Sequence, residues 1–514
     1  MANRAIAVAA APVAAALVLL LMAAGLVPLL ARTSWGAVSP ADWAALRFTI
    51  LQAALSATCT CLLAIPLARA LHRRCFWGRG ALIKMLSAPF VLPTLAAIMG
   101  LLALFGSNGP VSSLLVAVGL SPIPIFGLGG VVLAHVFLNL PLATRMLLQS
   151  WAAIPTERFR LAQSLSLTPL AHFRHLEWPM LRAILPSAFA AIFLICLTSF
   201  AVALILGGGP RASTVELGIY QSLRFEFNLE RAARLALIQV VMGFAAVLLL
   251  ATIWRAPNFG VGLDRPLRMA APKGFMRIWD AAVIGLLSAF LILPMLAVLA
   301  KGLPMIAHFP NDFAVIALRS VAISISAAVL SVTLALTLAR ARAKGAGIWV
   351  EIAAMLPLGT SSLALGTGVF LALLQVVTPQ TVALPLAVIF NAAFSLPFVF
   401  RILLPACREI EANFSRLSAQ LGLSPWAEVR VLFFPRLRKP IGFCAGLAAA
   451  MAMGDFGVIA LFGGQDQTIL PILIARLMGS YQMQAAAAVT LWLVLFAFAL
   501  FWTFDALGGR DADA

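Results

Sequence analysis

The chain has 514 residues, 63% of them hydrophobic and 11% charged, with a formal net charge of +18 and a mean hydropathy of +1.04. Water-soluble domains carry about 45–50% apolar and about 25% charged residues, so no single aqueous core hides this much apolar surface, and a bilayer is the solvent the composition requires. The cations lie in short tracts between apolar runs rather than in one basic domain, which argues against a nucleic-acid partner and assigns them to lipid headgroups and topology.

A helix needs about 20 apolar residues to cross the hydrocarbon layer. Twelve segments qualify: 8–30, 49–68, 85–105, 127–147, 184–205, 235–254, 281–300, 320–339, 352–375, 382–400, 441–461 and 485–504. The first is longer than the apolar region of a cleaved leader, about 7–15 residues, and reads as a retained span. The short alternating strands of a barrel are absent, so the expected fold class is all-α integral membrane. Cys59 and Cys61 sit mid-span without a histidine or a second pair. Neither they nor Cys75, Cys196, Cys407 and Cys444 suggest a disulfide or a metal site. With the N-terminus inside, 27 of the 36 Lys and Arg fall on the inner side. That bias predicts a bacterial inner-membrane protein with both termini cytoplasmic.

The chain repeats itself. Leu140-Pro141, Arg145, Arg160-Leu161, Leu165, Pro169, Arg174, Pro179 and Arg182 recur as Leu396-Pro397, Arg401, Arg416-Leu417, Leu421, Pro425, Arg430, Pro435 and Arg438, each pair 256 positions apart. Phe200 and Gly207-Gly208 recur as Phe456 and Gly463-Gly464 at the same offset. Upstream, Leu67-Ala68-Arg69-Ala70 recurs as Leu338-Ala339-Arg340-Ala341. The reading is two tandem six-helix halves, 1–254 and 278–514, joined by an inner linker at 255–277. Because six is even, both halves face the same way.

In each half the longest inner loop follows the fourth span, at about 151–183 and 405–439. Leu161, Leu165 and Ile154, and likewise Leu417, Leu421 and Ile410, are spaced to line one face of a short helix. Such a face lies in the headgroups, covers the bundle end, or inserts into a groove on a partner. Farther along, Gly207-Gly208-Gly209-Pro210 and Gly463-Gly464 read as the ends of long helices, at residues that tolerate positive φ or close approach. They are either simple stops or part of an outer gate. Glu216, Glu226 and Glu230, balanced by Arg211, Arg224 and Arg231, predict a mixed, water-facing outer loop. Asp455 is the one carboxylate inside an expected span, and its repeat mate is Ser199. An acid there makes a buried hydrogen bond or faces a cavity, where it would guide a cation. His172 and His175 form H-x-x-H without a carboxylate base, which does not suggest zinc.

The two inner loops resemble the EAA loop of ABC-importer permeases, in which a Glu-Ala-Ala-x-x-x-Gly core leads to a proline. Ser166 to Pro179 and Gly422 to Pro435 keep that family's spacing, while Arg160 and Arg416 stand in place of the acid and Ser166 in place of the first glycine. Nearly the whole chain is similar to the thiamine ABC transporter permeases, through FAVALILGGGPRASTVELGIYQSL (200–223), GDFGVIALF (454–462), LAHVFLNLPLATR (133–145) and Glu177-Trp178-Pro179. The fused permeases of ferric-iron importers share the twelve spans and paired loops and are the alternative. The resemblance implies a type I importer pore for thiamine or its phosphates. It further implies a separate ATPase subunit in two copies, a periplasmic thiamine-binding protein as donor, and no cofactor or metal. The loop residues Arg160, Leu161, Leu165, Ser166, Pro179, Arg416, Leu417, Leu421, Gly422 and Pro435 would couple to the ATPase. Phe200, Gly207, Gly208, Gly209, Asp455, Phe456, Gly463 and Gly464 would belong to the gate or the substrate path.

No G-x-x-x-x-G-K-[ST] motif occurs, so this chain has no P-loop and the expectation is a non-catalytic pore. A secondary transporter of two parallel six-helix halves is the remaining class. Its basic motif between spans two and three carries an Asp that LARALHRRCFWGRG lacks.

Overall fold

The computed structural model describes residues 2–33, 38–86, 92–165, 168–209, 212–253, 274–307, 310, 312–374 and 376–509. Among the described residues the regular structure is helical, with no strand. Large apolar side chains that water would drive inward point outward instead: Leu20, Leu248, Leu286 and Leu318 are each at least 66% exposed. Small side chains such as Ala53, Ala57, Ala64 and Ala68 are fully buried. Lipid is as apolar as leucine, so helices gain from close contact between small residues, while the bulky apolar faces meet acyl chains.

Among the described residues, eleven helices are long and apolar enough to cross a membrane, and a bent pair makes a twelfth. They correspond one for one to the twelve expected segments, but not all are straight. The ninth divides into Trp349–Gly359 and Ser362–Leu373, at 93° to each other. Pro357 supplies no N–H, Thr360 is extended, and the Ser361 hydroxyl accepts the Ala364 N–H at 3.1 Å, so a fresh helix begins there. The third is likewise divided, between Arg79–Met85 and Thr94–Phe105, the second part starting behind Pro93. Residues 254–273, most of the expected linker, lie outside the described residues.

The repeat extends to single hydrogen bonds. The Val215 N–H donates to Thr49 Oγ1 at 2.9 Å, and the Leu470 N–H donates to Ser320 Oγ at 2.9 Å. Each bond starts a short helix, Val215–Arg224 or Leu470–Gly479, from a hydroxyl on the second span of its own half.

The halves are interlocked rather than side by side. The first span packs on the sixth of its own half and on the eighth and ninth of the other; the seventh packs on the twelfth, the second and the third. Glycine permits the crossings. A Cβ on Gly368 would stand 1.7 Å from the Gly25 carbonyl oxygen, and one on Gly100 would stand 2.7 Å from the Pro294 carbonyl oxygen. At one end, Arg74 Nε reaches Asp280 Oδ2 across the halves at 2.7 Å.

Candidate translocation path and coupling turns

One end of the bundle carries the paired loops. In the first half Pro155 interrupts the fourth span, and Thr156–Ser164 starts as a separate helix; in the second, Glu411 occupies the matching position and one helix runs Ala383–Gln420. Pro179 and Pro435 occupy the first turn of Trp178–Leu197 and Phe434–Met453. Lacking an N–H for the usual i−4 carbonyl, each follows a widened π turn. The Trp178 N–H bonds the Phe173 carbonyl and the Phe434 N–H bonds the Val429 carbonyl. Gly422 closes the second loop at φ +59, the left-handed turn that glycine allows. Ser166 lies outside the described residues.

Apolar side chains stay uncovered here. Leu161 and Leu165 are 60% and 62% exposed, Leu417 and Leu421 49% and 64%, with Arg160 and Arg416 beside them. Ile154 and Ile410 do not share that face; both are buried against the bundle. Phe159 faces inward too, and its ring stacks on His172 at 5.8 Å.

Behind each loop an arginine from the second span anchors the turn. Arg69 Nε lies 2.6 Å from Glu177 Oε2, and its guanidinium covers the Phe173 ring at 5.0 Å. Arg340 lies 3.8 Å from Glu428 and covers the Phe433 ring at 4.5 Å, while Lys344 Nζ holds the same carboxylate at 2.5 Å. The acid and the ring have exchanged ends of the π turn between the halves, and each set still meets the arginine at the matching place in the repeat. The sequence carries this signal: Arg69 and Arg340 are repeat mates, and Glu177 opens the Glu177-Trp178-Pro179 motif.

A cavity of about 350 Å³ opens between the halves where the third and ninth spans are broken. Both halves line it with matched positions: Thr94 and Ser362, His135 and Asn391, Asn139 and Ser395. The fifth and eleventh spans also break here, at Thr198-Ser199 and Gly454-Asp455. The carbonyls freed by the first break are bonded by side chains: Gln52 Nε2 donates to Cys196 O at 2.9 Å and Gln239 Nε2 to Leu197 O at 3.0 Å.

Asp455 faces this cavity with both oxygens engaged. Oδ2 accepts from Asn391 Nδ2 at 3.1 Å and Oδ1 from the Gly457 N–H at 3.2 Å. The buried hydrogen bond and the cavity-facing acid of the sequence reading are therefore one arrangement. His135 Nδ1 meets Ser56 Oγ at 3.3 Å, while its Nε2 has no hydrogen-bond partner among the described residues. His135 and Asn391 carry no identity in the repeat, and matching by identity missed them; polar-for-polar matching at the same offset finds them.

Phe200 and Phe456 stack at 5.6 Å at the cavity wall, and Tyr220 of the Val215–Arg224 helix lies 5.2 Å from Phe200. The glycine clusters depart from expectation in two ways. They end short helices, Phe200–Leu206 and Gly457–Phe462, because the spans break earlier. Only Gly208 and Gly209 take positive φ, at +72 and +122. Gly207 and Gly463 serve close approach, since a Cβ on Gly463 would stand 2.6 Å from the Ile459 carbonyl oxygen. The Gly463 carbonyl in turn accepts from Arg224 Nη2 at 3.4 Å, across the halves. Glu226 pairs with Arg231 at 2.6 Å on an accessible surface, as the mixed loop requires. Glu216 does not: it is 2% exposed, burial pushes its carboxyl up to about 7, and only the Ser361 hydroxyl opposes that shift.

Two interlocked six-span halves, a polar cavity lined by both and a matched turn in each half define the membrane-embedded permease subunit of an ABC importer. The chain belongs to the thiamine transport system permease family. It is 37% identical over 483 residues to the thiamine transport system permease protein ThiP of Escherichia coli strain K12, spanning 91% of this chain and 90% of the relative. The ThiP proteins of Brucella abortus strain 2308 and Haemophilus influenzae are 34% and 33% identical, over 92% and 91% of this chain and 89% and 88% of theirs. The molybdenum transport system permease protein ModB of Azotobacter vinelandii is 28% identical over 229 residues, 99% of its own length and 44% of this chain, the size of one half. No family model matches the chain. Between the two importer families considered from sequence, these relatives select the thiamine permeases.

Proposed function

We propose that this chain is the pore of an importer for thiamine or its phosphates, made of halves 1–254 and 278–514 joined at 255–277. It sits in a bacterial inner membrane with both termini and the paired turns in the cytoplasm. The cavity carries the reading: one carboxylate and two stacked phenyl rings between matched halves suit a compact aromatic cation, which is drawn to both negative charge and ring faces. The chain itself performs no chemistry. A periplasmic thiamine-binding protein delivers the cargo to the outer ends of the halves, around Gly208-Gly209, 212–224 and 463–479. Two copies of an ATPase subunit receive the uncovered Leu161/Leu165 and Leu417/Leu421 faces. ATP binding draws the two turns together, and the interlocked spans convert that approach into opening of the Phe200–Phe456 closure; hydrolysis restores the inward-facing state.

The test is uptake of radiolabelled thiamine by cells lacking their own thiamine permease and regaining this chain with its ATPase and binding protein. Uptake dependent on all three components is expected. An assembled complex that hydrolyses ATP yet moves no thiamine or thiamine phosphate would overturn the reading.

A further inference from the structure

The halves are alike in backbone but not in charge. Asp455 comes from the second half, and Ser199 stands at its mate. Glu216 comes from the first half, as the second residue of Val215–Arg224; Pro471 is the second residue of the matching helix Leu470–Gly479. Each half thus contributes one acid at a different level. A cargo molecule has no twofold symmetry, so departures from the repeat are where recognition of an asymmetric ligand belongs.

Among the described residues no base pairs with Glu216, and the Ser361 hydroxyl is its one side-chain contact that favours the charged form. Its Oε1 has no hydrogen bond among the described residues, and at 2% exposure water does not replace one. The nearby bases among the described residues pair elsewhere: Arg231 and Arg234 hold Asp42, and Arg224 reaches the Gly463 carbonyl. A first-turn glutamate serves a helix dipole equally well from the solvent side, so the dipole gives no reason for burying it. An acid buried without a counter-charge is costly, and such groups cluster at functional sites. Its neighbour across the halves is Ser361, which lies at the break of the ninth span and lines the cavity.

We infer that Glu216 is the first cation-holding group of the path. When the upper ends of the halves separate, its carboxylate parts from Ser361, faces the opened cavity, receives the positively charged ring of the cargo from the binding protein, and passes it to Asp455. In the closed state Phe200, Phe456 and Tyr220 cover the route, and the acid is shielded from other cations. This rests on the thiamine reading above.

The purified complex in proteoliposomes, supplied with thiamine-loaded binding protein, tests it through the number of thiamine molecules moved per ATP hydrolysed. Glu216→Gln keeps the shape and the contact to Ser361 but removes the charge, and is expected to lower that ratio about tenfold, the scale of one charge-assisted contact. Glu216→Asp is expected to restore most of it. A wild-type ratio in Glu216→Gln, or an equal loss in both variants, would overturn the inference. A wild-type complex that moves no thiamine would instead overturn the thiamine reading. Independently of any variant, carbodiimide labelling of carboxyl groups in the wild-type complex, located by mass spectrometry, is expected to modify Glu216 only when ATP is trapped. Protection in both states would refute the uncovering.

Discussion

Asp455 and Glu216 show what a single acid costs and does in this setting. Asp455 accepts hydrogen bonds from Asn391 and the Gly457 N–H without losing its view of the cavity. Asp455→Asn retains the size and the backbone contact and removes the charge. Complex assembly is expected to stay normal while thiamine uptake slows about tenfold; uptake at the wild-type rate would reduce Asp455 to a cap on the Gly457–Phe462 turn. Glu216 makes a different prediction. Burial holds its folded-state pKa at about 7, above the ordinary glutamate value of 4.5. Between those two values the folded protein holds a proton that the unfolded chain has released. Stability therefore falls as pH rises through that window and levels off above it, a loss of order 3 kcal/mol. Glu216→Gln removes the dependence: its melting midpoint in detergent should match wild type near pH 4.5 and exceed it at pH 8. Equal midpoints at both pH values would show that the carboxyl titrates normally. Neither acid's environment was fully legible in the sequence. Asp455 was visible because an acid inside an apolar run is rare. Glu216 passed for a balanced surface residue because nearby bases such as Arg224 and Arg231 are close in sequence but turned to other partners.

The elements were more legible than their breaks. Apolar length and basic loops outline all twelve spans, because the bilayer imposes both. The division of the ninth span escaped, since hydropathy averages over the bend while Pro357, Thr360 and Ser361 act locally. The turns were found from their repeated leucines and prolines, but a 3–4-residue period could not tell the covered side from the open one, so Ile154 and Ile410 were grouped with residues they do not accompany. The open side yields the prediction. Leu161 and Leu417 touch little of the bundle, so a charge there leaves the fold alone and spoils only a partner's apolar groove. Leu161→Glu with Leu417→Glu is expected to leave the amount of permease in the membrane unchanged and to abolish co-purification of the ATPase, each single change giving a partial loss. A double variant that still retains the ATPase would place the motor contact elsewhere.

At the scale of the molecule, the repeat in the sequence announced two halves but not that they trade helices. Identity at a fixed offset records what is alike within each half, whereas the crossing of the first and seventh spans is written in isolated glycines with no shared motif. Their consequence is mechanical. With the first span seated on the ninth of the opposite half, a turn moving below one half shifts helices of the other, and the cavity between them responds to both turns at once. Gly368 is the tightest point of that seat, 1.7 Å from a backbone oxygen once any Cβ is added. A backbone neighbour cannot rotate aside as a side chain does, so Gly368→Leu must part the two helices. The complex is expected to assemble poorly, with its melting midpoint lowered by several degrees, on the scale of the roughly 1–3 kcal/mol that overpacking costs. Gly285, with nothing within 4 Å of its Cβ position, is the control: Gly285→Leu should behave as wild type. If both variants assemble and transport alike, the first span is a passive strap, and the coupling between halves runs through the cavity walls alone.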